Sequence, residues 1–266
     1  MRTVCILTGL VFGWAVSAAP GDNRGPDEAQ IAAQTCAAEL PRWQLTADGI
    51  VLDRPAAPAL RWSNPAAGRV YGNTYVWLYQ GRPAAASSLY RYFEPYKSFD
   101  GEVVALAGPK LVAKRDEKVM WEPAGQWKWN ALPGAVPAAT STERLVQMRG
   151  LAEEFKVELL DTRNIPKGDD QSPRLLAKPL YRYDAVRTKT LDGALFAFVL
   201  GTDPELLLLL ECDMAVATPQ WRFGIGRMNR DAFRVQRKGE KVWEAPALKG
   251  DDLAAPYRLI YIGLKG

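Results

Sequence analysis

Hydrophobic positions along this chain fall in short runs, many of which alternate with polar residues as in antiparallel strands. Aromatic and β-branched residues dominate these runs between residues 70 and 121 and again between residues 175 and 243. Turn-forming groups such as Gly81-Arg82-Pro83 and Asp100-Gly101 separate the runs. The pattern predicts an α+β fold made mainly of antiparallel β-meanders, with one N-terminal and one central helix.

Two segments have helical features instead. Residues 26–40 begin with a proline and two acidic residues and end at Pro41, which predicts the N-terminal helix. The central helix, Thr140 to Phe155, opens with the capping box Thr140-Ser141-Thr142-Glu143. Its apolar residues recur on one face, which we expect to be buried against a sheet. Those residues are Leu145, Met148 and Leu151.

The two strand-rich segments also share a motif. At one offset of 121 residues, Gly72, Tyr75, Trp77 and Pro83 recur as Gly193, Phe196, Phe198 and Pro204. The motif has two explanations, duplication or the small set of residues that hairpin turns use. Duplication would make residues 59–123 and 174–246 half-repeats of one globular domain (residues 26–266), joined by the linker and helix at 124–160. The pair Trp77 and Phe198, and the pair Trp121 and Trp243, would then hold equivalent positions.

The first residues are typical of an export signal. Arg2 is the only charge before Asp22, and residues 4–16 are almost wholly apolar. Small residues follow, so we expect a signal peptide over residues 1–18, a mature chain that begins at Ala19, and a disordered leader at 19–25. The apolar run is shorter than the roughly 20 residues of a spanning helix, which disfavours a retained anchor. We therefore expect a periplasmic or extracellular protein with no stable membrane insertion after cleavage.

Composition excludes several chemistries. The chain contains no histidine, which rules out Ser-His-Asp and Cys-His nucleophiles and every histidine-ligated zinc or haem site. No cofactor and no metal is expected. The net charge of +4 is spread along the chain without a basic stripe, so nucleic acid is not an expected partner. Cys36 and Cys212 remain after cleavage, and they are either one disulfide or two buried thiols.

Aromatic side chains beside polar ones are the candidates for ligand contact. They are Trp62, Asn64, Tyr75, Trp77, Tyr181, Arg182 and Tyr183. Each has a structural alternative. The strand around Trp77 is apolar on both faces, which favours a strand covered on both sides. Arg182 and its two tyrosine neighbours favour a structural cation–π contact or ion pair.

Acidic residues offer a second set of candidates. Glu122 and Glu244 follow equivalent tryptophans and would form a glycosidase-like pair if the fold brought them together. The loop pairs Asp169-Asp170 and Asp251-Asp252 have the character of solvated carboxylates and lack the spacing of a calcium loop.

Five stretches carry a further likeness. They are RWSNP (61–65), RVYGNTYVWLYQGRP (69–83), RLLAKPLYRY (174–183), LDGALFAFVLGTDPELLLLLE (191–211) and KVWEAP (241–246). Together they resemble a group of exported proteins of planctomycete bacteria to which no activity is assigned. The resemblance extends from about residue 40 to residue 246. It implies export and a shared fold, and it implies no reaction, cofactor or catalytic residue.

The sequence thus favours a non-catalytic extracytoplasmic binding or structural module. The alternative is a histidine-independent hydrolase that uses carboxylates, for example on glycans. A deep pocket with two carboxylates would favour the enzyme, and a closed core with polar ends would favour the module.

Overall fold

The computed structural model describes residues 27–54, 56–125, 127–160, 171–184, 188, 190–214 and 219–263. Over these residues the fold is α+β, as predicted, with an N-terminal and a central helix on antiparallel sheets. The signal-peptide and leader predictions and the pair Asp169-Asp170 lie outside the described residues. Neither α-helix within the described ranges has the length and apolarity needed to cross a membrane.

The chain is arranged as two units, here called the first unit (residues 27–131) and the second unit (residues 140–261). The first unit contains α1 (Glu28–Glu39), a short 3-10 turn (Leu40–Arg42), β1 (Trp43–Ala47), β2 (Ile50–Val51), β3 (Leu60–Ser63), β4 (Arg69–Tyr79), β5 (Arg82–Glu94), β6 (Phe99–Ala105), β7 (Leu111–Arg115), β8 (Lys118–Trp121) and β9 (Asn130–Ala131). The second unit contains α2 (Ser141–Glu153), β10 (Phe155–Leu160), β11 (Arg174–Leu175), β12 (Tyr181–Asp184), β13 (Asp192–Leu200), β14 (Asp203–Asp213), β15 (Gln220–Arg227), β16 (Ala232–Arg237), β17 (Glu240–Ala245) and β18 (Tyr257–Tyr261).

Each unit builds a large and a small sheet. In the first unit β3 to β6 form a meander, and β1 pairs with the hairpin β7–β8. In the second unit β12 to β15 form the meander, and β10 pairs with the hairpin β16–β17. Each helix precedes the first strand of its small sheet. Both units therefore have the same order and the same connectivity of their main elements.

The pairing registers of the two units also agree. Trp62 lies opposite Gly72 where β3 meets β4, and Tyr183 lies opposite Gly193 where β12 meets β13. A Cβ atom on either glycine would lie 2.3 Å from the facing aromatic ring, so both positions require glycine. The two aromatic rings thus hold one position in the two meanders.

The aromatic residues named in the sequence motif follow the same rule. Trp77 on β4 and Phe198 on β13 each precede a register shift in their hairpin. Trp121 lies opposite Ala113, and Trp243 lies opposite Val235. Both pairs of aromatic residues occupy matching strand positions.

The tail of each unit completes the large sheet of the other. The strand β9, at the end of the first unit, pairs with β15, and β18, at the end of the second unit, pairs with β6. A hairpin turn of each unit also forms a hydrogen bond with the other unit. The Thr202 amide donates to the Ser63 carbonyl at 3.0 Å, and the Tyr181 hydroxyl donates to the Gly81 carbonyl at 3.4 Å. The two units are therefore interlocked along both large sheets.

Three apolar clusters form the core. One lies between α1 and the first unit's sheets, one between α2 and the second unit's sheets, and one between the two large sheets. Tyr75 and Trp77 belong to the first cluster and Val76 to the shared one, so β4 is covered on both faces as predicted. Cys36 and Cys212 are free thiols buried in different clusters, which resolves the alternatives for this pair.

The apolar face of α2 packs on the second unit's sheets. Met148 and Leu151 are buried as predicted, whereas Leu145 is only partly buried at the edge of the same cluster. The capping box at Thr140 and Glu143 is present, with both reciprocal hydrogen bonds formed. The start of α2 and the orientation of its apolar face therefore agree with the sequence pattern.

Replacing Leu151 with alanine should lower the free energy of unfolding by about 2–5 kcal/mol, because it leaves a cavity under α2. Urea denaturation of residues 19–266 measures the effect. Val146 lies exposed on the same helix, so Val146→Ala is the matched control and should change stability by less than about 0.5 kcal/mol. Equal losses for the two variants would show that the α2 face does not stabilise the core.

Candidate functional site

A cleft of about 880 Å³ opens where the two units meet. Its aromatic wall consists of Trp62, Tyr90, Tyr92, Tyr96, Tyr257 and Tyr261. Its acidic residues are Glu102, Asp203, Glu205 and Asp231. We call this cavity the tyrosine cleft. Because both units and the β18 tail contribute to it, the cleft forms only when the two units are assembled.

Strand geometry places the acidic groups. Glu102 lies in β6, and Asp203 and Glu205 lie at the start of β14, two residues apart and so on one face of the strand. The β18 tail lays Tyr257 beside β6, and the Tyr257 hydroxyl donates a 2.9 Å hydrogen bond to Glu102. Asn64, just beyond β3, donates from Nδ2 to Asp203 at 3.2 Å. Carboxylates from both units thus share one cavity.

Two carboxyl groups of the cleft, those of Glu102 and Asp203, have raised pKa values. Burial raises the pKa of Glu102 to about 8, the charge of Glu205 acts in the same direction, and the Tyr257 hydrogen bond opposes both. Burial also raises the pKa of Asp203 well above its usual range, reinforced by Glu205 and then Glu102. A carboxyl with a pKa near 8 is mostly protonated at neutral pH. Glu102 and Asp203 accept hydrogen bonds from neutral groups, the Tyr257 hydroxyl and the Asn64 amide respectively.

A row of four aromatic rings extends from the buried interior of the tyrosine cleft to its rim. Ring centroids lie 5.5 Å apart between Trp62 and Tyr90, 5.9 Å between Tyr90 and Tyr92, and 5.2 Å between Tyr92 and Tyr96. Trp62 is buried, and Tyr96 at the rim is 70 % exposed. Burial raises the pKa of Tyr92 to about 12, so this phenol keeps its proton. The row offers aromatic faces and hydroxyl donors along its whole length.

Trp62 has a polar group without a partner. The residue is 5 % exposed and lines the cleft, yet its indole Nε1 makes no hydrogen bond with any described residue. Buried N–H donors almost always find an acceptor in native proteins. The nitrogen atom itself is buried, so the donor is not open to the cleft.

A second cleft, of about 580 Å³, is also lined by residues of both units. We call it the tryptophan cleft, after Trp127 and Trp129 in its wall. Arg82 and Arg222 also line it, and both bind the buried carboxylate of Glu211. The Arg222 guanidinium carbon lies 4.4 Å from the centre of the Trp129 ring. Here the buried acid is neutralised within the protein.

The structure distributes the predicted binding residues among different roles. Trp62 lines the tyrosine cleft, and Asn64 supports Asp203 in its wall. Tyr75 and Trp77 are 2 % exposed and fill the core, because the strand that carries them is covered on both faces. Their structural interpretation holds, and the structure gives them no place in a cleft wall.

The Tyr181–Tyr183 segment is likewise structural. Arg182 donates from Nε and Nη2 to the buried carboxylate of Asp192 at 3.0 and 2.7 Å. The Tyr183 hydroxyl donates to Glu211 at 2.7 Å, and its ring stacks on Tyr181. This is the ion pair that was the alternative to a ligand site.

The proposed carboxylate pair is not formed. Glu122 binds Lys110 at 2.7 Å, and Glu244 binds Lys241 at 2.8 Å, in two different small sheets. Equivalent positions in the two units are carried to separate sheets, so the two acids do not share a site. Asp251 and Asp252 are exposed as predicted, and Asp251 pairs with Arg258 at 2.6 Å.

Sequence reasoning missed the acids that do converge. Glu102 directly precedes the apolar run Val103–Leu106, and Glu205 directly precedes the five leucines Leu206–Leu210. A charge at the start of a run that is otherwise typical of a buried strand was the available signal. Within the described ranges no group of three or more acidic or cysteine side chains is placed to hold a metal ion. Searches against protein-family models, curated proteins and solved structures found no match to the chain.

Proposed function

We propose that this protein is exported and works as a non-catalytic binding protein that holds a small ligand in the tyrosine cleft. One observation carries the proposal. The cleft combines a sizeable volume and an aromatic wall with the carboxyls of Glu102 and Asp203, whose hydrogen-bond donors are neutral. Polar groups that converge on an aromatic-lined cavity are typical of ligand sites.

Export is supported by the N-terminal segment. Its charge, apolar run and small residues follow the order of a signal peptide, and the likeness to exported planctomycete proteins points the same way. Free thiols at Cys36 and Cys212 are compatible with that compartment because both are buried. We also propose that the two units arose by duplication, a proposal supported by their common connectivity and registers.

Thermal-shift screening tests the binding proposal. The mature chain should be stabilised by members of one ligand class among neutral sugars, amines, amino acids and organic anions, and ligand at about 100 times Kd adds about 2.7 kcal/mol. Replacing the exposed rim residue Tyr96 with alanine should weaken that ligand without unfolding the protein. Leu253→Ala, another exposed residue outside the cleft, is the matched control. A hit that Tyr96→Ala and Trp62→Phe leave unchanged would place the ligand elsewhere.

A carboxylate hydrolase acting on glycans is the second candidate, and the raised pKa of Glu102 favours it. A carboxyl that keeps its proton near pH 7 can serve as a general acid, and Glu205 lies on the other unit's wall of the same cleft. Incubation with nitrophenyl glycosides and with oligosaccharides separates the candidates. Turnover that is abolished by Glu102→Gln would replace the binding proposal by the hydrolase.

A further inference from the structure

The charged residues that line the tryptophan cleft all carry the same sign. Three of its described lining residues are basic, namely Arg82, Lys110 and Arg222, and none is acidic. Arg82 and Lys110 belong to the first unit, and Arg222 lies on β15 of the second. The tyrosine cleft differs, since its lining combines four acidic residues with Arg230 and Lys249. Positive groups from both units therefore converge on the tryptophan cleft.

Acids outside the cleft lining fix the two guanidinium groups. Glu211 is completely buried and is not among the residues that line the cleft. It accepts hydrogen bonds from Nε and Nη2 of Arg82 at 3.0 and 2.7 Å, and from Nη2 of Arg222 at 2.5 Å. Asp213 accepts from Nη1 of Arg222 at 2.7 Å. These charge-assisted bonds order both side chains in advance, so a ligand need not immobilise them.

Two of the basic side chains keep donors for a ligand. Arg82 uses Nε and Nη2 to bind Glu211, and its Nη1 makes no hydrogen bond with any described residue. The Arg82 side chain is 33 % exposed, so the Nη1 donors remain available to a ligand oxygen. Lys110 is 67 % exposed and pairs with Glu122 at 2.7 Å. Water screens that surface pair, and an anion in the cleft can replace it.

The remaining wall of the cleft is mainly apolar, and its two indole rings are held in place. A Cβ atom on Gly224 would lie 2.3 Å from the Trp127 ring, so this ring packs directly on the β15 backbone. The Arg222 guanidinium carbon lies 4.4 Å from the centre of the Trp129 ring. A volume of about 580 Å³ with an apolar wall and few polar groups is typical of small-molecule sites. The larger apolar residues beside the two indoles are Leu106, Pro109, Leu111 and Pro123.

We infer that the tryptophan cleft is a second binding site, which takes an organic carboxylate with a flat apolar body. The ligand carboxylate accepts hydrogen bonds from Arg82 Nη1 and from Lys110, and its body lies against the indole wall. A single negative charge suits the site, because Glu211 and Asp213 already balance the two guanidinium groups. This site is separate from the tyrosine cleft and does not depend on the function proposed there.

Isothermal titration calorimetry with two matched probes tests the inference. Indole-3-acetate carries the carboxylate, and indole-3-acetamide replaces it with a neutral amide of nearly the same shape. Residues 19–266 should bind the acetate at least about tenfold more tightly than the amide, because the amide cannot form the charge-assisted hydrogen bonds. Inorganic sulfate, which has no apolar body, should bind at least about tenfold more weakly than indole-3-acetate.

Two exposed residues beside the cleft give variants with opposite expected effects. Lys110→Gln removes a positive charge and should weaken indole-3-acetate by about two- to fivefold. Glu122→Gln frees Lys110 and should tighten indole-3-acetate by about two- to fivefold. Lys241 and Glu244 form a similar exposed pair on β17, at 2.8 Å and outside the cleft. Lys241→Gln and Glu244→Gln are therefore the matched controls and should leave the affinity unchanged.

Arg82→Gln removes the main proposed donor and should weaken indole-3-acetate by about tenfold. Urea denaturation shows whether this variant is folded, because Arg82 also binds the buried Glu211. The Lys110 and Glu122 variants lie outside that buried network, so they decide the question if Arg82→Gln does not fold.

Three results would overturn the inference. If the amide binds as tightly as the acetate, or if neither binds, the cleft is not a carboxylate site. If indole-3-acetate binds equally to wild type, Lys110→Gln and Glu122→Gln, its site lies elsewhere. If inorganic sulfate binds as tightly as indole-3-acetate, the cleft selects charge alone and the apolar body is wrong. None of these results affects the tyrosine cleft, whose own test uses the Tyr96→Ala variant.

Discussion

Replacing Glu211 with alanine should lower the free energy of unfolding by about 3–5 kcal/mol. The Glu211 side chain is completely buried and joins both units, because it binds Arg82 of the first unit and Arg222 of the second. Its loss leaves two guanidinium groups facing each other and removes the acceptor of the Tyr183 hydroxyl. Removing one partner of a buried ion pair costs far more than the pair itself contributes, because the remaining charge is uncompensated.

Urea denaturation at neutral pH measures this loss, and Glu122→Ala is the matched control. The Lys110–Glu122 pair is also short, at 2.7 Å, but both side chains are largely in solvent. Its removal should have little effect because water and salt already screen the charges. If Glu211→Ala were as stable as Glu122→Ala, the buried network would not hold the units together. A triple replacement of Glu211, Arg82 and Arg222 by apolar residues should recover part of the loss.

Replacing Glu102 with glutamine should stabilise the protein at alkaline pH. The pKa of Glu102 is raised from its model-peptide value of 4.5 to about 8 in the folded state, so the folded protein holds a proton that the unfolded chain releases. This contribution to stability is fully present below pH 4.5 and is lost as the pH rises towards 8. Glutamine mimics the neutral acid and does not titrate. At pH 8.5 the variant should exceed wild type by about 3–5 kcal/mol, and the two should converge near pH 4.5.

Denaturation curves from pH 4 to pH 9 test this result. Other titratable or charged groups surround Glu102 and give both proteins a common background. They are Tyr90, Asp203, Glu205, Arg230, Asp231, Lys249 and Tyr257. Because the charge of Glu102 also raises the pKa of Asp203, the difference between wild type and variant reports Glu102 together with that coupling. Curves that stay parallel across the range would mean that burial does not raise the pKa of Glu102.

Local structure was largely predictable from the sequence. The capping box at Thr140 fixes the start of α2 through short-range hydrogen bonds, and alternating residues fix the faces of strands such as β4. The Gly72 and Gly193 motif located matching strands because a facing aromatic ring excludes every side chain there. Such features depend on neighbours in sequence or on one cross-strand contact, which a pattern can encode.

The sequence pattern could not predict the tyrosine cleft, because its residues come together only through strand pairing between distant parts of the chain. Glu102 and Tyr257 are 155 residues apart, and they meet only because β18 crosses to the first unit's sheet. Nothing in the sequences of the tail strands β9 and β18 indicates which sheet each will join. For the same reason Glu122 and Glu244 were a reasonable pair in sequence but not in space, since equivalent strands of the two units lie in separate sheets. Trp62 was found because an aromatic residue before a turn stands out locally.

The exchanged tails also set the order in which the chain can finish folding. The edge of the first unit's large sheet is closed by residues 257–261, which follow the other strands of the second unit, so that edge can be completed only after the second unit has been synthesised. Contacts of such long sequence separation form slowly, since loop closure must precede them. The first unit therefore cannot complete its large sheet independently, and the two units finish folding together.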